Sequence, residues 1–152
     1  MRKVRVYLDN CCYNRLYDNQ SQILIEVETK AIQYIQYLIA IDCIGLAWSY
    51  ILDYENSLHP IINAAKEIFK WRELSAVIVD ETPNVLSEYR KIRNAGIKDA
   101  DALHIACAVE AKCDYMITVD KRMLKYSGEN IKMCDPVDFL RIEGVISDDK
   151  QR

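Results

Sequence analysis

Glycine and proline are scarce in this chain. Only four Gly and three Pro occur among 152 residues, too few for a collagen-like, linker-like or propeller-like chain. Histidine is scarcer, and His59 and His104 stand far apart. None of the six cysteines forms a C-x-x-C pair, so the chain lacks the clustered N and S ligands of a zinc site. A long apolar run is also missing. The most apolar stretch, YLIAIDCIGLAW, carries Asp42 and falls short of the ~20 residues needed to cross a bilayer. The N-terminus MRKVRVYLD passes from basic to acidic residues without an apolar core, so no secretion signal is expected. Cys11, Cys12, Cys43, Cys107, Cys113 and Cys134 are therefore expected to be reduced, mostly buried thiols of a cytoplasmic protein. Nor is there an excess of positive charge. The net charge of -3 gives the surface as a whole no attraction for nucleic acid, although Arg90, Lys91, Arg93 and Lys98, and again Lys121, Arg122 and Lys125, form local basic groups.

What the chain does have is enough apolar residue, 51% against 28% charged, to fill a globular core. Its length suits one domain, expected over residues 1–146 with a frayed tail at 147–152. Val4, Val6 and Leu8 alternate as a strand that Asp9-Asn10 ends. Ile25, Ile32, Ile35, Leu38 and Ile39 give the stretch after Ser21 a helical period. A strand from Gly45 to Trp48 precedes Ser49, which predicts an N-cap for a helix carrying Leu52, Tyr54 and Glu55. Pro60 separates that helix from one running through Ile61, Ala65, Ile68 and Phe69. Ala76 to Asp80 reads as a buried strand. Thr82-Pro83 opens a helix that Gly96 closes, and Asp99 to Lys112 is a further helix. Tyr115 to Val119 is a strand, with Asp120 as the cap of a short helix. A weak strand, Ile131 to Cys134, leads to Asp135-Pro136 and a last helix through Leu140. Strands and helices alternate throughout, which predicts an α/β fold, a three-layer α/β/α sandwich around a central parallel sheet.

Ligand sites of open parallel sheets lie beyond the carboxyl ends of the strands. Asp9 follows the first strand and Asp120 the strand YMITV, while Glu55 and Asp101 lie near helix N-termini that point to the same edge. Each Asp alone reads equally as an N-cap or turn residue. Four carboxylates converging on one edge would repel each other, and a hard divalent cation with oxygen ligands suits such a set. Bound magnesium or manganese there could activate water against a phosphodiester.

Three segments carry a family resemblance: VYLDNCCYNRLYD, SYILDYE and DADALHIACAVEAKCDYMITVDKRML. Together they resemble a PIN domain, one of the small metal-dependent nucleases that include the toxin ribonucleases of bacterial toxin–antitoxin pairs. The likeness runs from about residue 4 to about residue 140, and the third segment is the most specific. It implies a metal-dependent endoribonuclease using Mg2+ or Mn2+. Asp9, Glu55, Asp101 and Asp120 would be its catalytic metal ligands, with Thr118, Asp99 and Asn10 in support. It also implies RNA as substrate, a small antitoxin as partner where the chain is a toxin, and a homodimer without membrane attachment. Asp99 stands as an alternative to Asp101, and Asp53 to Glu55. Residues two apart on a helix diverge by about 200°, so only one of each pair can face the cleft.

Basic residues offered for RNA contact are Arg15, Arg90, Lys91, Arg93 and Lys121. Arg15 suits a phosphate but suits Asp18 as well, and the Arg90–Lys98 run reads also as a solvated helix face. Tyr13 and Tyr17 are candidate stacking platforms, whereas Tyr34, Tyr37 and Tyr54 read as core or interface. His104, three residues after Asp101, reads as a buried histidine bonded to backbone rather than as a ligand. A non-cleaving PIN-like module binding RNA or a partner is the main alternative, and four acids exceed what such a module needs. A receiver domain lacks its late Lys, and a tyrosine phosphatase lacks the Cys-to-Arg spacing. A dehalogenase-type phosphatase lacks the second Asp, because Cys11 occupies that position.

Overall fold

The structure, a computed structural model, describes residues 2–145. The tail expected at 147–152 lies outside the described residues. Five strands form one sheet: β1 (Arg5–Leu8), β2 (Gly45–Ser49), β3 (Val77–Val79), β4 (Tyr115–Ile117) and β5 (Lys132–Cys134). Their order is β3-β2-β1-β4-β5, and every pairing is parallel. Val6, Tyr7 and Leu8 of the central strand are all fully buried. Successive strand residues point to opposite faces, so helices cover both faces of the sheet, as a three-layer α/β sandwich requires.

Local chemistry explains most of the helices. In α2 (Ile23–Ala40) the inward positions Ala31, Ile32, Ile35 and Ile39 are buried. Three of the helices expected from the sequence begin at side-chain caps: Ser49 accepts from Leu52 N–H at α3 (Tyr50–Ser57), Thr82 from Val85 N–H at α5 (Pro83–Asn94), and Asp135 from Asp138 N–H at α7 (Pro136–Ile142). Each cap satisfies one of the backbone donors that a helix start leaves unpaired. Gly96 ends the α5 turn at φ +100°, a conformation that glycine reaches without a Cβ penalty. It leads into α6 (Asp99–Glu110), which packs on α5.

Several expectations need correction. A helix not expected from the sequence, α1 (Asn10–Arg15), follows β1 directly, with Asp9 as its cap accepting from Asn10 N–H. α4 (Ile62–Glu73) starts one residue late, with Ile61 outside it as the N-cap. β3 is not a buried strand but a sheet edge paired only with β2, and Ile78 is exposed. Its apolar run fits an inner strand equally well, because composition does not tell an edge from a centre. Asp120 is not the cap of the short 3-10 helix Met123–Lys125, whose N-cap is Arg122. Instead its carboxylate accepts from Arg122 N–H at 2.8 Å, in a turn that precedes that helix. All six cysteines are free, but Cys43 is exposed and Cys11 half-buried. Tyr34, Tyr37 and Tyr54 are exposed rather than core. Among the described residues no helix is long and apolar enough to cross a membrane.

Candidate metal and nuclease site

Strand order determines where a site forms. β1 leads to β2 on one side, whereas β4 lies on its other side, so the crevice between β1 and β4 is the topological switch point of the sheet. Leu8 pairs with Ile117, and the residues just beyond this pair face each other across that crevice.

Asp9 is buried there, 5% exposed, and its two oxygens have separate partners. Oδ1 accepts from Asn10 N–H at 2.8 Å, and Oδ2 accepts from the Thr118 hydroxyl at 2.8 Å and from Cys11 Sγ at 3.2 Å. Thr118 follows β4 and is fully buried. Its hydroxyl also accepts from Asp120 N–H at 3.0 Å. One hydroxyl thus ties the segment after β1 to the segment after β4. The link from Thr118 to Asp120 passes through the backbone N–H of Asp120, beyond the end of β4 at Ile117.

Glu55 reaches the same region from α3. Its Oε1 lies 2.6 Å from His104 Nε2, and that nitrogen lies 4.0 Å from Asp9 Oδ1. The expectation of a His104 bonded to backbone is corrected, because both ring nitrogens meet side chains, Glu55 and Tyr7. Burial opposes a charge on the ring, yet the hydrogen bond to Glu55 and the carboxylates of Asp9, Glu55 and Asp101 raise its pKa above the ordinary value. Asp101 lies in the first turn of α6. Its carboxyl is pushed up by burial and then by the charges of Asp9, Asp120 and Glu55, against a lowering from His104. Asp101 therefore lies in the field of the other three acids. Among the described residues no three His, Cys, Asp or Glu side chains form a ready-made metal cage. The donor set nevertheless suits a hard divalent cation, because its candidate ligands are carboxylate oxygens.

The alternative acids lie elsewhere. Asp53 accepts from Trp48 Nε1 at 2.7 Å and pairs with Arg72 at 3.2 Å. Asp99 accepts from the Tyr89 hydroxyl at 3.1 Å and pairs with Arg93. Asn10 meets Asp9 through its backbone N–H, while its side-chain oxygen accepts from Asn14 Nδ2 at 3.2 Å. The basic candidates divide likewise. Arg15 is held by Asp18 at 2.9 Å and Glu28 at 3.2 Å. Lys91 lies 3.9 Å from Glu88. Arg90 and Lys121 are exposed. Tyr13 is no stacking platform, being buried edge-on against Trp48, whereas Tyr17 is exposed and edge-on to His59. The sequence reasoning missed Cys11, which meets Asp9, and Tyr7, which meets His104. The signal available for Tyr7 was its place on the first strand, two residues before Asp9.

A family model described as PIN domain matches residues 23–129. That span takes in Glu55, Asp101, Thr118 and Asp120, and it begins after Asp9 and α1. No curated protein matches the chain. A similar solved structure is the crystal structure of VapBC2 from Rickettsia felis bound to a DNA fragment from their promoter. The TM-score is 0.55 at 14% identity, covering 87% of this chain and 98% of that one. At that identity the likeness is one of fold.

Proposed function

We propose, from the premise that the chain belongs to the PIN domain family, that it is a metal-dependent endoribonuclease that hydrolyses RNA phosphodiesters with Mg2+ or Mn2+. The observation that carries this reading is geometric: the Thr118 hydroxyl and Asn10 N–H hold the buried Asp9 at the end of β1, and His104 Nε2 lies 2.6 Å from Glu55 and 4.0 Å from Asp9. Asp135 and Asp99, by contrast, serve as a helix cap and an ion-pair partner. Perturbed acids gathered in a cleft are candidates for chemistry.

Asp9, Glu55, Asp101 and Asp120 would hold the cation. When bound, it supplies Lewis-acid polarisation and neutralises charge developing on the phosphodiester. The chain's own contribution is orientation. The Thr118 hydroxyl and Asn10 N–H fix both Asp9 oxygens, and the His104 ring engages Glu55. Such outer contacts hold ligands in productive geometry. Hydrolysis by an oriented water needs no covalent nucleophile, so no cysteine is required. Arg90, Lys91, Arg93 and Lys121 would meet the RNA backbone. Arg15, already paired with Asp18 and Glu28, would shape the α1 side of the cleft.

The same proposal includes a cytoplasmic toxin that forms a homodimer and is restrained by a small antitoxin. Its support is the fold shared with a chain crystallised in VapBC2 on promoter DNA. The test is incubation of the purified, partner-free protein with tRNA, rRNA and mRNA in magnesium, manganese and EDTA. Cleavage in metal, lost in EDTA and in Asp9→Asn, is expected. A folded protein that cuts none of these in either metal would instead be a non-cleaving module that binds RNA or a partner.

A further inference from the structure

His104 is 1% exposed and belongs to a chain of hydrogen bonds that begins and ends on one helix. Leu52 N–H donates to Ser49 Oγ at 3.3 Å, and Ser49 is the N-cap of α3. Ser49 Oγ lies 2.6 Å from the Tyr7 hydroxyl on β1, which lies 2.6 Å from His104 Nδ1 on α6. His104 Nε2 lies 2.6 Å from Glu55 Oε1, back on α3. An ionised carboxylate only accepts, so Nε2 carries a hydrogen and donates to Glu55. In the neutral ring Nδ1 is then bare and accepts from Tyr7, whose oxygen accepts from Ser49. In the charged ring the bonds through Tyr7 reverse, and Nε2–H still points at Glu55.

Glu55 needs such a partner. Its side chain is 25% exposed, and a flexible Glu loses rotamer freedom whenever it is held in one position. The ring that holds it is itself fully enclosed and bonded at its far nitrogen. The ring N–H also lies between Glu55 and Asp9, the latter at 4.0 Å.

We infer that Tyr7 and His104 are positioning residues that fix the Glu55 carboxylate within the four-acid cluster and so set its affinity for a divalent cation. The inference rests on the metal-site reading above. Tyr7 provides the sharpest probe, since its hydroxyl bonds to Ser49 and His104 and to no carboxylate of the cluster.

The experiment is calorimetric titration of MnCl2 into wild type, Tyr7→Phe, His104→Gln and Glu55→Gln, each checked for folding by circular dichroism. Outer partners of metal ligands typically change affinity by about 10–100-fold. Folded Tyr7→Phe and His104→Gln should weaken Mn2+ binding by roughly the lower end of that range, about 10-fold. Unchanged affinity in both folded variants overturns the inference and leaves the metal site intact. A wild type that binds no Mn2+ overturns the metal-site reading and the inference with it. A second measurement needs no variant: long-range proton–nitrogen NMR of wild type should find Nε2 of His104 protonated, and a bare Nε2 overturns the inference.

Discussion

Asp101 has a raised pKa because it is partly buried and lies in the field of Asp9, Asp120 and Glu55. Its folded value lies above its unfolded value, so the native state binds more protons. The stability this contributes is fully present below the unfolded pKa and is lost as pH rises through the folded one. Without metal, Asp101→Asn should therefore raise the melting temperature near neutral pH, and the gain should shrink toward acid pH, where the wild-type carboxyl is protonated. Melts in EDTA across pH check this, and a destabilised Asp101→Asn at neutral pH would contradict it. Thr118 bears on the same site through one oxygen. Thr118→Val keeps the buried shape but removes the bonds to Asp9 and from Asp120 N–H, of which the one to the carboxylate alone contributes about 1.5–3 kcal/mol. Urea unfolding should register a loss of at least that size, whereas a neutral substitution would mean that Asp9 is held without it. The positions of the acids after strands and at helix starts were legible in the sequence. Tyr7 was legible only as a same-face neighbour of Asp9, because a tyrosine inside a strand carries no sign of which partner its hydroxyl meets.

Elements decide which of these residues meet. Alternation and caps identified all five strands and six of the seven helices closely: the Ser49, Thr82 and Asp135 caps each make the bond their residue type implies. α1 escaped because a six-residue helix is too short to display a period, leaving Asp9 as its only signal. The edge position of β3 escaped because partner order is a tertiary fact. At the end of α5, Arg90, Lys91 and Arg93 face solvent, but Arg93 is already paired with Asp99 and Lys91 lies near Glu88. Single-stranded RNA adds about 0.7 to the salt slope per phosphate contacted. The triple Gln variant of a cleavage-dead protein should lower that slope by roughly one contact to two, about 0.7–1.4. Affinities at several salt concentrations provide the measurement, and an unchanged slope would make the patch a solvated face. α6 supplies a paired contrast: Asp99→Asn should keep cleavage while Asp101→Asn loses it. The opposite pattern would place the site one helix face away.

At the scale of the whole molecule, the parallel order β3-β2-β1-β4-β5 brings acids from distant parts of the chain to one crevice. The sheet and its alternation with helices were readable from the sequence, whereas the convergence needed the β1–β4 pairing, which no local pattern encodes. On the proposed metal-site reading, a cation bound among these like charges would stabilise the fold. At about 100 times its dissociation constant a ligand stabilises the native state by ~2.7 kcal/mol, or roughly 5–10 °C in melting temperature for a domain of this size. Manganese should raise the wild-type melting temperature by that amount, and Asp120→Asn should shrink the rise. A full rise in Asp120→Asn would remove Asp120 from the site. The most direct test of a shared four-carboxylate site is anomalous diffraction at the manganese edge from crystals grown with MnCl2. The account predicts a manganese peak enclosed by Asp9, Glu55, Asp101 and Asp120. Manganese bound elsewhere, with this crevice holding none at saturating concentration, would contradict it.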